Sequence, residues 1–256
     1  MRERIMEGRT VDAWLLDAGG GRIGGNDSTR GIDEADKKVA QVQLIFKKGP
    51  IMAINITRVY TRAGDQGDTS LVGRVRISKG SQKLSSYGSI DELNTFVGMA
   101  RTILISDLGG LPPEQRTAMN DLLLRIQNEL FDVGSILATP AGKEYDGMPV
   151  IIPDQVSALE TLMDTFQEDL EPLPSFTLPG GSFANASLHQ CRSVCRRAER
   201  EMVRLSKEEE LPPDILKYVN RLGDLFFVMS RYVAKVAGVP ETLWETGLRK
   251  RKPGKL

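Results

Sequence analysis

Histidine and cysteine are the scarcest reactive side chains in this chain of 256 residues, with one histidine, His189, and two cysteines, Cys191 and Cys195. The one-turn spacing of the cysteines, with a single histidine, provides no zinc ligand set. The cysteines stand one helical turn apart, a spacing that suits no fold-closing disulfide, so they are expected to be reduced core thiols in a reducing, cytoplasmic setting. No histidine–carboxylate pair or nucleophilic thiol is evident. No apolar run approaches the ~20 residues that span a bilayer, so the protein is expected to be soluble, without a membrane partner. Charge of one sign is also lacking. Thirty-four Lys and Arg balance thirty-four Asp and Glu, which excludes a general nucleic-acid binder. A Walker loop, GxxxxGK[ST], is absent as well.

Residues 1–50 hold 8 of the 25 glycines and sustain no apolar period. Within them Gly19-Gly20-Gly21-Arg22-Ile23-Gly24 fits the spacing of a dinucleotide fingerprint. The Asn26–Gly31 stretch that follows is turn chemistry and opens no helix, so the match lacks its context. Acidic residues at Glu3, Glu7, Asp12 and Asp17 argue against a transit peptide. We read residues 1–51 as a poorly structured extension. Met52 is the natural beginning if the start codon is assigned too far upstream.

From about residue 84 apolar residues recur at helical spacing. Ile90, Leu93, Phe96, Val97, Ala100 and Ile103 mark a first helix. Pro112-Pro113 opens a second, which buries Met119, Leu122, Leu123, Ile126, Leu130, Val133 and Leu137. A third begins near Pro153 and runs to Phe166. The fourth follows Gly180-Gly181. The fifth follows Pro212-Pro213, with Asp214 as its expected cap, and stops at Gly238 and Pro240. Five helices of some 18 to 25 residues with little strand signal predict an all-α, antiparallel bundle across residues 52–247, trailed by a basic flexible tail, 248–256. The second and fifth helices are apolar over wide arcs, which suggests oligomerisation.

The fourth helix carries Arg192, Arg196 and Arg200 at four-residue intervals. Residues four apart share a face, so three guanidiniums form a stripe opposite Leu188, Cys191, Val194, Cys195, Ala198, Met202 and Leu205. Such a stripe is either a plain solvated face or a grip for a polyanion such as a triphosphate. Three further segments stand out. In Tyr60-Thr61-Arg62-Ala63-Gly64-Asp65-Gln66-Gly67-Asp68-Thr69-Ser70 the glycines permit tight turning and presented amides, or simply a turn. In Tyr87-Gly88-Ser89-Ile90-Asp91-Glu92-Leu93-Asn94, Ser89 and Glu92 fit a capping box, while Asp91 would need a cation if buried. In Tyr218-Val219-Asn220-Arg221-Leu222-Gly223-Asp224, Asn220 and Asp224 share a face, and Gly223 admits a neighbouring helix or a ligand.

These four segments, with Leu178-Pro179-Gly180-Gly181 preceding Cys191-Arg192 and Arg196-Arg197-Ala198-Glu199-Arg200, closely resemble in kind and order the PduO-type ATP:cob(I)alamin adenosyltransferases. The resemblance covers residues 56–247. It implies a ferritin-like five-helix bundle behind an irregular, ATP-binding N-terminal loop, and transfer of the 5′-deoxyadenosyl group of ATP to cobalt(I) of a reduced corrinoid. A non-catalytic cobalamin carrier of the same fold is the alternative. The resemblance further implies that Thr61, Arg62, Ala63, Gly64, Thr69 and Lys79 contact ATP, and that Arg196, Arg197, Arg200 and Asn220 complete the nucleotide site. Arg192 would pair across a subunit interface with Asp91, and these two act with Arg196 in catalysis. Phe176 would cover the lower corrin face, while Glu199 and Asp224 support the site. Arg62 stands where many members carry lysine, which keeps the charge but changes its geometry. The implied cofactors and partners are ATP with Mg²⁺, cob(I)alamin, two further copies in a homotrimer, a cobalamin reductase and an adenosylcobalamin-dependent enzyme. No protein side chain is expected to ligate a metal.

Overall fold

A computed structural model describes residue 60 and residues 62–246. The extension 1–51, its glycine fingerprint, Thr61 and the tail 248–256 lie outside the described residues. Five helices dominate the described residues: α1 (Gln82–Ile105), α2 (Pro113–Leu137), α3 (Pro153–Gln167), α4 (Phe183–Leu205) and α5 (Pro213–Val236). Among the described residues four short strands form two antiparallel pairs. β1 (Asp68–Ser70) pairs with β2 (Arg76–Ser78), and β3 (Thr177–Leu178) with β4 (Thr242–Leu243).

Bonds between helices give the directions. Asn94 Nδ2 donates to Gln127 O and Arg101 Nε to Asn120 Oδ1, so α1 and α2 run opposite ways. Gln82 meets Glu201 while Glu92 meets Arg197, which sets α4 antiparallel to α1. Cys195 bonds Val219 O and Asn185 bonds Ser230 O, which sets α5 antiparallel to α4. One neighbouring pair departs from the antiparallel expectation. Arg221 meets Glu160 and Tyr232 stacks near Phe166, so α3 and α5 run the same way. An odd number of alternating helices around one core leaves one such pair.

Prolines open three helices at their first turn, Pro113, Pro153 and Pro213, as expected. Two predicted caps differ. α1 starts at Gln82, where Ser81 Oγ accepts from Leu84 N. Ser89 is therefore mid-helix, its hydroxyl donating to Ser85 O. Residues 82–88 contain nothing that stops a helix, so the Ser-x-x-Glu pattern lies too late to begin one. Asp214 sits in the first turn of α5 and pairs with Lys217, 2.9 Å away, instead of capping. α3 has 15 residues, shorter than expected, because Pro172 and Pro174 hold the following chain out of helical geometry.

The core contains the predicted apolar faces of all five helices. The wide apolar arc of α5 has an explanation inside the chain. α5 packs on both α4 and α3, and Ile215, Tyr218, Leu222, Phe226, Met229 and Val233 are all fully buried. The arc on α2 is different, because Leu124 and Phe131 remain exposed. One buried carboxylate joins three helices. Glu129 Oε2 accepts from Tyr218 Oη at 2.6 Å, and Oε1 accepts from Arg125 Nε at 2.8 Å and Gln155 Nε2 at 3.0 Å. Burial, then the neighbouring Glu129 charge, pushes the Tyr218 phenol up.

Candidate functional site

The N-terminal loop folds as a hairpin, not as a wholly irregular segment. Leu71 N donates to Val75 O at the turn, and Val72 N donates to Ala138 O, which moors the hairpin to the end of α2. The loop before it turns twice through left-handed backbone, at Arg62 (φ 60°) and Gly67 (φ 90°). Its carbonyls point to cations. Lys79 Nζ donates to Gly64 O and Arg76 Nη2 to Ala63 O, both at 2.8 Å. Lys79 thus belongs to the loop, and Arg76 joins it as a residue the sequence reading missed. A Cβ on Gly64 would lie 3.0 Å from Lys79 Nζ and 3.2 Å from Asp68 O, so the glycine keeps this turn closed. Arg62 lies over Tyr60, its Cζ 6.0 Å from the ring centroid.

Three residues beyond Lys79, α1 begins against the far end of α4. Gln82 Nε2 donates to Glu201 O and Oε2, each at 2.9 Å. The bond to Oε2 pulls the Glu201 carboxyl below its usual range, with Arg204 adding to the effect. The hairpin therefore leads onto the end of α4 that carries Arg196, Arg197 and Arg200.

Ser182 caps α4, accepting from Asn185 N at 3.1 Å, and the predicted apolar face is buried in full. Burial pushes the Cys191 thiol up to about 12 and raises Cys195 as well, so both are protonated core groups. The arginines on the other side have separate surroundings. Arg196 and Arg200 are exposed, and Arg200 Nη1 donates back to Arg196 O at 3.1 Å. Arg197 makes an ion pair with Glu92 of α1. Arg192 is half-buried, its Cζ 5.4 Å from the Phe227 ring centroid. Glu199 and Asn220 come together across α4 and α5, Asn220 Nδ2 donating to Glu199 Oε1 at 2.8 Å. Asp224 faces Arg221 at 3.7 Å. Gly223 is buried against α4, where a Cβ would meet Cys195 Sγ at 3.7 Å and Arg196 Cγ at 3.9 Å, both ordinary contacts. The neighbouring helix therefore does not demand glycine. Asp91 is exposed on α1 and, among the described residues, makes no ion pair within the chain.

His189 lies beneath Arg192. Ser230 gives its proton to Phe227 O at 2.7 Å, so its oxygen is left to accept from His189 Nε2 at 3.3 Å. Nδ1 is then the unprotonated nitrogen, buried with no partner among the described residues. Burial and then the Arg192 charge push this histidine below its usual range.

Phe176 is at the other end of α4, 75% exposed. Its ring centroid lies 6.2 Å from that of Trp244, and Trp244 N donates to Phe176 O at 2.7 Å. Trp244 is the second residue the sequence reading missed, although a tryptophan after the last helix stop is an available signal. At 1.5 Å per residue, Phe183 lies about 20 Å along α4 from Arg196. One chain therefore presents its aromatic pair and its exposed arginines at opposite parts of the same helix. Among the described residues no group of three or more His, Cys, Asp or Glu side chains could hold a metal ion, and no helix is long and apolar enough to cross a membrane.

The chain has well-matched relatives among known proteins. The family model for cobalamin adenosyltransferase matches residues 59–233. A corrinoid adenosyltransferase of Bacillus subtilis is 42% identical over 190 residues, covering 73% of this chain and 92% of the relative. A cobalamin adenosyltransferase of Cupriavidus metallidurans is 37% identical over 194 residues, 76% of this chain and 97% of that one. Among solved structures, a variant PduO-type ATP:corrinoid adenosyltransferase from Lactobacillus reuteri, complexed with cobalamin and ATP, superposes with a TM-score of 0.68. It is 33% identical, with coverage of 74% of this chain and 100% of the other. With most of its described residues matched in sequence and in fold, the chain belongs to the cobalamin adenosyltransferase family.

Proposed function

We propose that this protein transfers the 5′-deoxyadenosyl group of ATP to cobalt(I) of a reduced corrinoid, releasing triphosphate and forming the adenosylated corrinoid. The observation that carries this reading is the exposed arginine face of α4 at Arg196 and Arg200, set beside the Glu199–Asn220 bond. In the reaction the cobalt electron pair attacks C5′ of ATP. The cobalt–carbon bond forms as the carbon–oxygen bond to triphosphate breaks, and the leaving group departs with that electron pair. Cobalt(I) is a strong nucleophile, so no side chain has to remove a proton.

The protein's task is then alignment and charge handling. Arg196 and Arg200 meet the negative charge that grows on the departing triphosphate. Mg²⁺ arrives with that triphosphate and counts as part of the substrate. Arg62, Ala63, Gly64, Thr69 and Lys79, with Thr61 beside them, wrap the nucleotide. Asn220, oriented by Glu199, completes the nucleotide site, with Arg197 and Asp224 at its edge. Phe176 takes the lower face of the corrin and excludes an axial base. An axial donor raises the orbital that the incoming electron must fill, so its exclusion eases reduction of cobalt(II).

The assembly we propose is a homotrimer in which Arg192 meets Asp91 of a neighbouring subunit. Supporting this are the exposure of Asp91, the exposed Leu124 and Phe131, and the distance along α4 between the corrin and nucleotide elements. A cytoplasmic setting, a reductase that supplies cobalt(I) and an enzyme that receives the product complete the reading.

Arg196→Ala tests it. The variant is expected to lose adenosyl transfer while keeping its melting temperature, because the side chain is exposed. Near-normal turnover would remove the triphosphate role.

A further inference from the structure

Phe176 and Trp244 are large, exposed aromatics carried on two chain segments that leave the bundle separately. One precedes α4 and the other follows α5. Their joint ladder is only two residue pairs, Thr177↔Leu243 and Leu178↔Thr242, too short to hold itself in place. Trp244 N to Phe176 O at 2.7 Å and Ser175 Oγ to Trp244 O at 2.9 Å bind the tips to each other. They do not bind the pair to the bundle.

That anchor is Arg231 on α5. Its Nε donates to both oxygens of Glu241, at 3.1 and 3.2 Å, on the segment leading into β4. Its Nη2 donates to Glu171 O at 2.8 Å, on the segment leading into β3. The Arg231 side chain is 11% exposed and that of Glu241 20%. The preceding residue adds a second tie. Asn185 Nδ2 donates to Ser230 O, and its Oδ1 accepts from Gly180 N, both at 3.0 Å. Gly181, at φ +86°, brings the first segment so near the second that a Cβ would lie 3.1 Å from Val239 Cγ1.

We propose that Arg231 is a positioning residue for the aromatic clip: one guanidinium, gripping a carboxylate on one arm and a main-chain carbonyl on the other, fixes how Phe176 and Trp244 meet the corrin. The proposal rests on the reading that Phe176 faces the corrin. Its physical basis is the planar fork of donors, which a lysine cannot reproduce because its compact charge cannot hold both partners in that geometry. Exposed aromatics depend on such a root for placement to a fraction of an ångström.

The test uses the full chain with Trp14→Phe, which leaves Trp244 as the sole tryptophan. Arg231→Lys and Glu241→Gln are compared with Phe176→Ala. Three readouts are taken: acrylamide quenching of Trp244, the fraction of bound cobalt(II) without axial nitrogen by electron paramagnetic resonance, and KM for ATP. Both clasp variants are expected to increase quenching and to lower the base-free fraction about tenfold, with KM for ATP unchanged. A merely structural role would not separate the cobalt(II) spectrum from ATP binding. An unchanged spectrum in Phe176→Ala overturns the corrin reading beneath the proposal. A changed spectrum there, with quenching and spectrum unaltered in Glu241→Gln and in folded Arg231→Lys, overturns the clasp alone.

Discussion

Tyr218→Phe removes one oxygen from the centre of the bundle, and its cost follows from what that oxygen serves. Tyr218 is fully buried, and its hydroxyl is the donor to Glu129 Oε2, at 2.6 Å. Glu129 is itself buried, its Oε1 already occupied by Arg125 and Gln155. Phenylalanine fills the same ring space, so no sizeable cavity forms. What changes is a buried carboxylate oxygen left without a donor. A hydrogen bond to a charged group contributes about 1.5–3 kcal/mol, and we expect a loss near 2 kcal/mol. For a domain of this size that corresponds to a fall in melting temperature of about 4–8 °C. Glu129→Ala should cost more, about 3–5 kcal/mol, because it removes at once the acceptor of Tyr218, Arg125 and Gln155. Urea unfolding of the three proteins gives both numbers and their order. A Tyr218→Phe loss under about 0.5 kcal/mol, or a Glu129→Ala loss no larger than it, would refute the assignment of this carboxylate as the junction of α2, α3 and α5.

Gly223→Ala should stabilise the protein by about 1 kcal/mol, since the helix gains alanine's propensity and the new Cβ meets only ordinary contacts. Destabilisation in a thermal melt would show the contact to be tighter than described. His189, held neutral by burial and Arg192, binds its proton more readily in the unfolded chain. Stability should therefore be full above pH ~6.5 and fall as pH drops below it, by at most about 1.4 kcal/mol per pH unit from this group. His189→Gln should flatten that slope, and an identical slope would assign it elsewhere. Asp91→Asn should weaken oligomer assembly in analytical ultracentrifugation while leaving monomer stability within about 0.5 kcal/mol, as its side chain is exposed. Unchanged assembly and kinetics would remove the subunit-pairing role.

The helices were legible because apolar spacing and N-terminal prolines act locally. Leu122, Ile126 and Val133 mark a face wherever the chain goes, and Pro113 or Pro153 can only begin a helix. The start of α1 was less legible, since Ser81 and Ser89 carry similar capping chemistry; the helix-compatible run 82–88 and the bonds of Gln82 and Ser86 to Glu201 favour the earlier one. The stripe of Arg192, Arg196 and Arg200 was visible as a periodicity. Its division into an Arg192 contact and a nucleotide grip came only through the family resemblance, because the Phe227 ring beside Arg192 comes from another helix. The Phe176–Trp244 clip was the least legible feature. Its strands are two residues long, and its anchor Arg231 lies on a helix whose own pattern speaks only of burial.

Adenosyl transfer is a single displacement, and its products can be counted directly. Wild-type protein mixed with ATP and chemically reduced cobalamin under anaerobic conditions should form adenosylcobalamin, followed by its absorbance, together with an equimolar amount of inorganic triphosphate. Binding of both substrates without turnover would contradict the account and leave a cobalamin carrier in its place.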